Sequence, residues 1–260
     1  VATTMTTTTT TTTTTTPGAV PRHAHSDMVL PLFQVSAVTG TGLDLLRRFL
    51  NLLPPRGNWT ARVAERTQVV IDANFHVVGV GTVASGIVEA GSVSVGDTLL
   101  LGPDSNGRWT PVPMRSLHVR RSAVKTAYAG QEVGVALKKI KRPFLRRGMA
   151  LVDPALNPCA VLVFDADIVI LSSHSTTIKL NYQPVVQAGV VRQAAAVQEL
   201  ARPLLRAGDR GRVRFRFIRR PEYVREGDRL VFREGRCRGI GVIRAVYDMH
   251  STDELPPLSR

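Results

Sequence analysis

The chain has 260 residues, a formal net charge of +14 and an isoelectric point near 11.0. Its composition, 43% hydrophobic and 5% aromatic, suffices for one or two packed cores in a chain of this length. The positive charge favours a polyanion such as RNA as the partner, with a membrane surface as the weaker alternative. No apolar run approaches the roughly 20 residues that span a bilayer, and the sequence has no secretory signal pattern. We therefore expect a soluble intracellular protein without a membrane partner.

The two cysteines, Cys159 and Cys237, are far apart and have no histidine at metal-ligand spacing. This arrangement predicts neither a disulfide framework nor a zinc site. Two reduced, partly buried thiols are the simplest interpretation.

The first 27 residues are dominated by an unbroken threonine run, Thr6 to Thr16. A low-complexity segment of this kind has no apolar face to bury, which predicts disorder over residues 1–27. Residues 28–56 differ: MVLPLFQV is a candidate strand, SAVTGTG a glycine-containing turn, and leucines then recur at helical spacing from Leu43 to Leu53. Thr41 is the predicted N-cap, and Pro54 ends the helix. We interpret this segment as the last strand, loop and helix of an α/β GTP-binding domain.

After Thr67 the helical period disappears, and short apolar strands alternate with Gly, Asp and Pro turns. This spacing predicts two small β-barrels or sandwiches over residues 66–153 and 158–247, with a linker at Asn157 and a tail over residues 248–260. The expected fold class is mainly β, preceded by the strand-loop-helix remnant of an α/β GTPase domain. Strands are predicted near QVVIDANF, GVGTVASGIVEAG, DTLLLG, PVPMRSLHVRR, EVGVALKK, AVLVFDADIVIL, YQPVVQAGVVRQAAAVQEL, GRVRFRFI, DRLVFRE and GIGVIRAVY.

A complete GTPase site needs a glycine-rich loop with Lys and Ser/Thr for phosphate and magnesium, and an Asn-Lys-x-Asp segment for guanine. Neither GxxxxGK[ST] nor NKxD occurs in these 260 residues. Residues 104–107, DSNG, have the form DxxG, but a hairpin turn explains them. Ser36 and Ala37 are therefore the single nucleotide-binding signal, with a purely structural turn as the alternative. No Ser-His-Asp, Cys-His or paired-carboxylate arrangement indicates an independent hydrolase.

Positive charge is concentrated in the two predicted β domains. Ten basic residues and one acidic residue lie between Arg115 and Arg147, and fifteen basic and six acidic residues lie between Arg192 and Arg244. In the strand RVRFRFI the apolar and basic residues alternate, so the arginines share one face and are expected to form an exposed ribbon. Phosphate contacts are one interpretation and a merely solvated basic face is the other. The ribbon comprises Arg212, Arg214 and Arg216.

Several segments, in order and with compatible spacing, resemble translational GTPases of the elongation factor Tu type. GVGTVASGIVEAGSVSVGDTLLLGP, AGQEVGVALKKIKR and RRGMALVDP resemble the second domain of that family, and YQPVVQAGVVR, AGDRGRVRFRFIRRPEY and LVFREGRCRGIGVI resemble its third. FQVSAVTGTGLDLLRRFLNLLPPR, ALKKIKR and RFIRRPEY are most similar to the GTP-binding protein 1 and 2 branch. The resemblance covers residues 29–247 and implies two β-barrels behind the end of a nucleotide domain, in which Ser36 and Ala37 contact the guanine base.

The resemblance also implies RNA-contacting residues. Residues 72–77, among them Asp72, Asn74, Phe75 and His76, would form the wall of a pocket for the terminal adenosine and amino acid of tRNA, with Arg121 as its basic neighbour. Arg220 and the turn Arg233-Glu234-Gly235 match positions that contact the tRNA T-arm. Glu132 replaces an asparagine of the elongation factor, and SSHSTTIKLNY lacks its glycine-arginine-histidine loop. Both departures bear on aminoacyl-ester recognition more than on RNA binding. For His76, the alternative to a role in the pocket is a packed or solvated side chain.

The function implied is that of the RNA-facing, C-terminal half of an elongation-factor-like GTP-binding protein. The intact protein would bind GTP and magnesium, act with tRNA and the ribosome or with RNA-decay machinery, and work in the cytoplasm as a monomer. This chain would supply RNA binding without catalysis and without a cofactor of its own. The alternative is a stand-alone RNA-binding or adaptor module that never hydrolyses GTP.

Overall fold

The computed structural model describes residues 31–54, 57–137, 140–171, 177–235, 237–251 and 255–258. The threonine run and the disorder predicted for residues 1–27 lie outside this part of the chain. Two compact units are present, Val1–Gly57 and Asn58–Arg260. No helix in the described segments has the length and apolar character needed to cross a membrane.

The described part of the first unit, residues 31–54 and 57, contains one helix, α1 (Leu43–Leu52). Its N-cap is Gly42 and not Thr41, because the chain enters the helix with a left-handed φ of 76°. A Cβ on Gly42 would lie 2.2 Å from the carbonyl oxygen of Gln34, so this turn requires glycine. Residues 31–36 have no regular secondary structure. The strand predicted over residues 28–35 is therefore absent from its described part, where no partner strand is available to it.

The second unit begins with a short helix, α2 (Trp59–Arg62), and continues with nine strands that form the first sheet system. Seven strands follow the order β4-β9-β1-β2-β8-β5-β6, an extra pairing of β4 with β5 joins the two sides of this sheet, and β3 pairs with β7. The bounds are β1 (Gln68–Val77), β2 (Gly81–Ala90), β3 (Ser92–Ser94), β4 (Thr98–Gly102), β5 (Thr110–Val119), β6 (Ser122–Val124), β7 (Thr126–Tyr128), β8 (Glu132–Leu137) and β9 (Ala150–Val152).

Alternating residues of these strands fill one core, as their two-residue period requires. The largest fully buried side chains of this core are those of Ile71, Met114, Leu117 and Leu151. Strands β1 and β2 approach closely at Gly86, where a Cβ would lie 2.1 Å from the carbonyl oxygen of Val70. We call this sheet system the first barrel.

Six further strands close into a second barrel in the order β10-β13-β12-β11-β14-β15. Phe164, Phe215, Phe217 and Phe232 are fully buried in its core, and the rings of Phe164 and Phe215 stack with centroids 5.5 Å apart. The fold class predicted from the sequence is thus confirmed. The bounds are β10 (Val161–Ile170), β11 (Val185–Ala188), β12 (Val191–Leu200), β13 (Arg210–Phe217), β14 (Arg229–Glu234) and β15 (Cys237–Asp248).

The two barrels are tied together by buried polar contacts. Arg146 Nη1 of the first barrel donates to Glu222 Oε2 of the second at 2.5 Å, and Arg146 Nη2 donates to the carbonyl oxygens of Pro103 and Pro221, both at 3.0 Å. The Glu222 side chain is only 3% exposed, and burial raises the pKa of its carboxyl group. A second tie joins Arg225 Nη2 to Glu89 Oε2 at 2.6 Å.

Candidate nucleic-acid interface

The turn containing Ser36 and Ala37 is closed by its own backbone. Ser36 donates its amide to Thr41 O at 3.0 Å, and its carbonyl accepts from Gly40 N at 2.9 Å. Its hydroxyl accepts from Thr39 N at 3.2 Å. Ala37 is exposed, and the next residue, Val38, is 96% exposed. This geometry leaves the tip of the turn open to a ligand. It fits equally well a turn that has a purely structural role.

Strand β1 carries the predicted pocket wall at its outer end. Phe75 is 52% exposed, and His76 beside it is exposed as well. Asp72 is half-buried at an irregularity in the pairing of β1 with β2. Its Oδ1 atom is buried without a hydrogen-bond partner in the described part of the chain. Phe75 and His76 are therefore accessible to a ligand, whereas Asp72 lies deeper in the strand.

Asn74 holds a neighbouring loop in place. Its Nδ2 donates to Leu145 O at 2.7 Å, and its Oδ1 accepts from Arg142 Nε at 3.1 Å. Both partners flank a 3-10 turn, Arg142–Phe144. Because these contacts use both ends of the amide, Asn74 fixes the position of this loop. The loop presents Phe144, which is 70% exposed.

A cavity of about 340 Å³ opens beside this loop. His76 lines it together with Arg115, Lys141 and Arg142, while Thr82 and Leu137 contribute to its walls. Arg115 Nη1 is anchored on Val80 O at 3.2 Å. Three cations and an imidazole therefore line one cavity of the first barrel, whereas the exposed rings of Phe75 and Phe144 lie outside its lining.

Arg121 does not line this cavity. It occupies the tip of the β5–β6 hairpin, where Val119 pairs with Ser122. The basic neighbours that the structure brings to His76 are Arg115, Lys141 and Arg142. Sequence reasoning missed these three residues, because they reach the cavity from β5 and from the segment after β8. For Lys141 and Arg142 the visible signal was the ALKKIKR stretch.

The predicted ribbon of exposed arginines on β13 is wrong at Arg214. This residue points outward, as the strand period requires, but it is only 4% exposed. Its Nε and Nη2 atoms donate to the two carboxylate oxygens of Asp165 at 2.7 and 2.9 Å. Its Nη1 donates to Glu199 Oε2 at 2.9 Å, and its guanidinium lies 5.2 Å from the Tyr247 ring. These hydrogen bonds raise the pKa of Arg214, and its charge is neutralised within the barrel by Asp165 and Glu199.

Glu199, the second carboxylate bound to Arg214, also contacts Leu258. Leu258 is only 8% exposed, and its amide donates to Glu199 Oε1 at 3.2 Å. Arg212 is also paired, through Nε to Asp167 Oδ1 at 2.8 Å, but it is 28% exposed. Arg244 binds the other oxygen of Asp167 at 2.7 Å. Hydrogen bonds from Arg212 and Arg244 hold the pKa of Asp167 below its ordinary value.

Arg216 and Arg233 remain available for a polyanion. Arg216 is half-buried, and it makes no ion pair with any described residue. Arg233 is exposed on β14 and lies directly opposite Arg238 of β15. Like charges in facing positions disfavour strand pairing, and a bound anion would relieve this repulsion. The adjoining Glu234 and Gly235 are exposed, and Gly235 forms the turn with a φ of 53°.

Arg220 belongs to the polar network between the barrels. Its Nε lies 3.3 Å from Glu222 Oε1, and its side chain is 39% exposed. Its backbone is clamped by Gln193, which accepts from Arg220 N and donates to Arg220 O, both at 3.0 Å. Arg220 is therefore positioned by its neighbours and partly neutralised, with one side open to solvent.

Comparison with known proteins identifies the relatives of this chain. Residues 81–152 match the family model described as Elongation factor Tu domain 2. Over 235 residues, which is 90% of this chain and 35% of the relative, the sequence is 46% identical to GTP-binding protein 1 of Xenopus laevis. It is 40% identical to GTP-binding protein 2 of Mus musculus over 88% of this chain and 38% of the relative.

A more distant relative is elongation factor 1-alpha of Archaeoglobus fulgidus, at 28% identity over 84% of this chain and 47% of the relative. These matches confirm the resemblance drawn from the sequence to elongation-factor-Tu-like proteins and to the GTP-binding protein 1 and 2 branch. The chain spans between about a third and a half of the length of these relatives.

Proposed function

Since residues 81–152 match the family model of elongation factor Tu domain 2 and the chain is similar to GTP-binding proteins 1 and 2, we propose that this chain is the RNA-binding part of an elongation-factor-like GTP-binding protein. The observation that carries the proposal is the cavity at the end of the first barrel. Three cations that form no ion pair with a described residue line it, and exposed phenylalanines lie close in sequence to its lining residues, a combination that suits an unpaired RNA end.

Each part of the cavity has a role in such a complex. Arg115, Lys141 and Arg142 supply positive charge for backbone phosphates. Outside the cavity lining, the exposed Phe75 and Phe144 would offer faces on which bases stack. His76 supplies a ring nitrogen to an exposed base edge or a ribose hydroxyl.

The second barrel would contact a folded region of the same RNA. Among the arginines predicted from the sequence to contact RNA on this barrel, three have a positive charge that solvent can reach: Arg216, Arg220 and Arg233. Arg238 joins them through its position opposite Arg233. Such contacts to phosphates add affinity with little sequence preference.

The names of the relatives, which state GTP binding and elongation-factor function, support a proposal for the activity of the whole protein. The intact protein would bind GTP and magnesium, and Ser36 and Ala37 would contribute backbone contacts to the guanine base. Transfer RNA and the ribosome are the proposed partners, with RNA-decay machinery as a further one and the cytoplasm as the site of action. The adaptor without GTPase activity is the second candidate, supported by the absence of GxxxxGK[ST] and NKxD from these 260 residues.

Binding of a tRNA with and without its CCA end tests the proposal. Arg115→Ala and Phe144→Ala should each weaken binding of the complete tRNA, because a stacked base contributes roughly 1–3 kcal/mol. Both variants should behave like the parent chain toward the trimmed tRNA. Arg202→Ala, which removes an exposed arginine on the second barrel, is the matched control. Equal affinity of the parent chain for complete and trimmed tRNA would contradict the assignment of the cavity.

A further inference from the structure

The β5–β6 hairpin of the first barrel has an unusual tip. Val119 pairs with Ser122, so a two-residue loop, Arg120-Arg121, connects the strands. Both residues have a left-handed backbone, with φ values of 49° and 68°. Two-residue hairpin loops of this kind favour Asn-Gly, because most other residues are strained in this conformation. Two consecutive arginines here therefore cost stability that a different sequence would avoid.

The charges of the hairpin are not neutralised within the described part of the chain. His118, Arg120, Arg121 and Lys125 are all exposed, and none of them belongs to an ion pair between described residues. On the second barrel, by contrast, Arg212, Arg214 and Arg244 each bind a carboxylate. The arginines of the hairpin tip therefore present free guanidinium groups to solvent.

The hairpin tip is separate from the cavity. Arg115, which lines the cavity, stands four residues before the end of β5, a distance of about 13 Å along a strand. The tip presents planar, bidentate guanidinium donors, which match phosphate oxygens. Strained residues persist where binding requires their geometry. These features fit the backbone of a folded RNA better than an unpaired base.

We propose that the Arg120-Arg121 tip is a phosphate-binding contact to the backbone of a folded RNA, distinct from the cavity that takes an unpaired end. This inference rests on the proposed RNA-binding function. It assigns Arg121 a place on the RNA different from the aminoacyl end implied by the family resemblance.

The double substitution Arg120→Asn, Arg121→Gly separates binding from structure. Asn-Gly suits the left-handed loop, so the thermal midpoint of unfolding should rise. Affinity for a tRNA without its CCA end should fall, and the slope of log affinity against log salt should flatten by up to about 1.4 to 1.8, because two phosphate contacts are lost. Trimmed tRNA is the probe because it leaves the cavity without its ligand.

Arg120→Lys, Arg121→Lys is the matched control, since it keeps the charge and should retain most of the salt slope. A higher midpoint with unchanged affinity and slope in the Asn-Gly variant would overturn the inference. The inference would also be overturned if the Asn-Gly substitutions reduced binding of an acidic peptide while RNA binding stayed the same. A parent chain that binds neither complete nor trimmed tRNA would instead refute the proposed function itself, and the two failures are thereby distinguished.

Discussion

Arg214 and Asp165 form a bidentate ion pair across strands β13 and β10, with N–O distances of 2.7 and 2.9 Å. Their side chains are only 5% and 7% exposed. The pair lies on the outer face of a barrel strand, where sequence patterns predict solvent. Removing one member of such a pair leaves a charge buried without compensation, which is expensive.

Arg214→Ala should therefore destabilise the chain by about 3–5 kcal/mol. Arg216→Ala, two residues further along the same face, should change stability by about 0.5 kcal/mol or less and weaken RNA binding instead. Urea denaturation and filter binding of tRNA across a salt series measure both effects. Equal stability losses for the two variants would show that Arg214 is not a structural residue.

Arg146→Ala should weaken the junction between the barrels, because it leaves the Glu222 carboxylate buried without its main partner. Burial raises the pKa of Glu222, and the loss of Arg146 should raise it further. A carboxyl group whose pKa is raised in the folded state costs no stability below its unfolded-state pKa. Stability is then lost as pH rises through the folded-state pKa. The penalty should thus be about 3–5 kcal/mol at pH 7 and smaller at pH 4.

Urea denaturation at the two pH values measures this dependence. Arg147→Ala is the control, because the exposed Arg147 side chain donates through Nε to a single carbonyl, Val190 O, at 3.2 Å. A penalty for Arg146→Ala that is independent of pH would exclude Glu222 as its cause.

Asp167→Asn should reduce the loss of stability in acid. Hydrogen bonds from Arg212 and Arg244 lower the pKa of Asp167, so its contribution is complete above the unfolded value of about 3.9 and is lost as pH falls through the folded value. Because the side chain is 39% exposed, the change should be about 1 kcal/mol or less. The free energy of unfolding should fall less steeply between pH 5 and pH 2 for the variant than for the parent chain. An equal pH dependence of the two free energies would contradict the assignment.

The 260-residue chain should not bind GTP tightly, because the sequence lacks the groups that hold phosphate and magnesium. Isothermal titration with a slowly hydrolysed GTP analogue measures this. Micromolar or tighter binding would mean that the turn at Ser36 and Ala37 recognises the nucleotide without the missing motifs.

The strand period placed Phe215 and Phe217 in the core and the arginines of β13 on the outer face, and both placements are correct. It could not indicate that Asp165, 49 residues earlier, would meet Arg214, since the period describes direction and not partners. The same limit applies to the cavity, where Arg115 and Arg142 converge on His76 from separate segments. The N-cap at Gly42 was missed because the close approach of the Gln34 backbone requires glycine there. Helix-capping propensities describe single residues and do not include such a contact.

The contact between Leu258 and Glu199 has a practical consequence for work with this protein. The Leu258 amide donates to one oxygen of Glu199, and the other oxygen accepts from Arg214. A chain shortened after Ser251 would lose the Leu258 hydrogen bond, which holds Glu199 beside Arg214. A loss of solubility or yield after such trimming would then report on the second barrel and not on RNA recognition, so affinity tags belong at the other end.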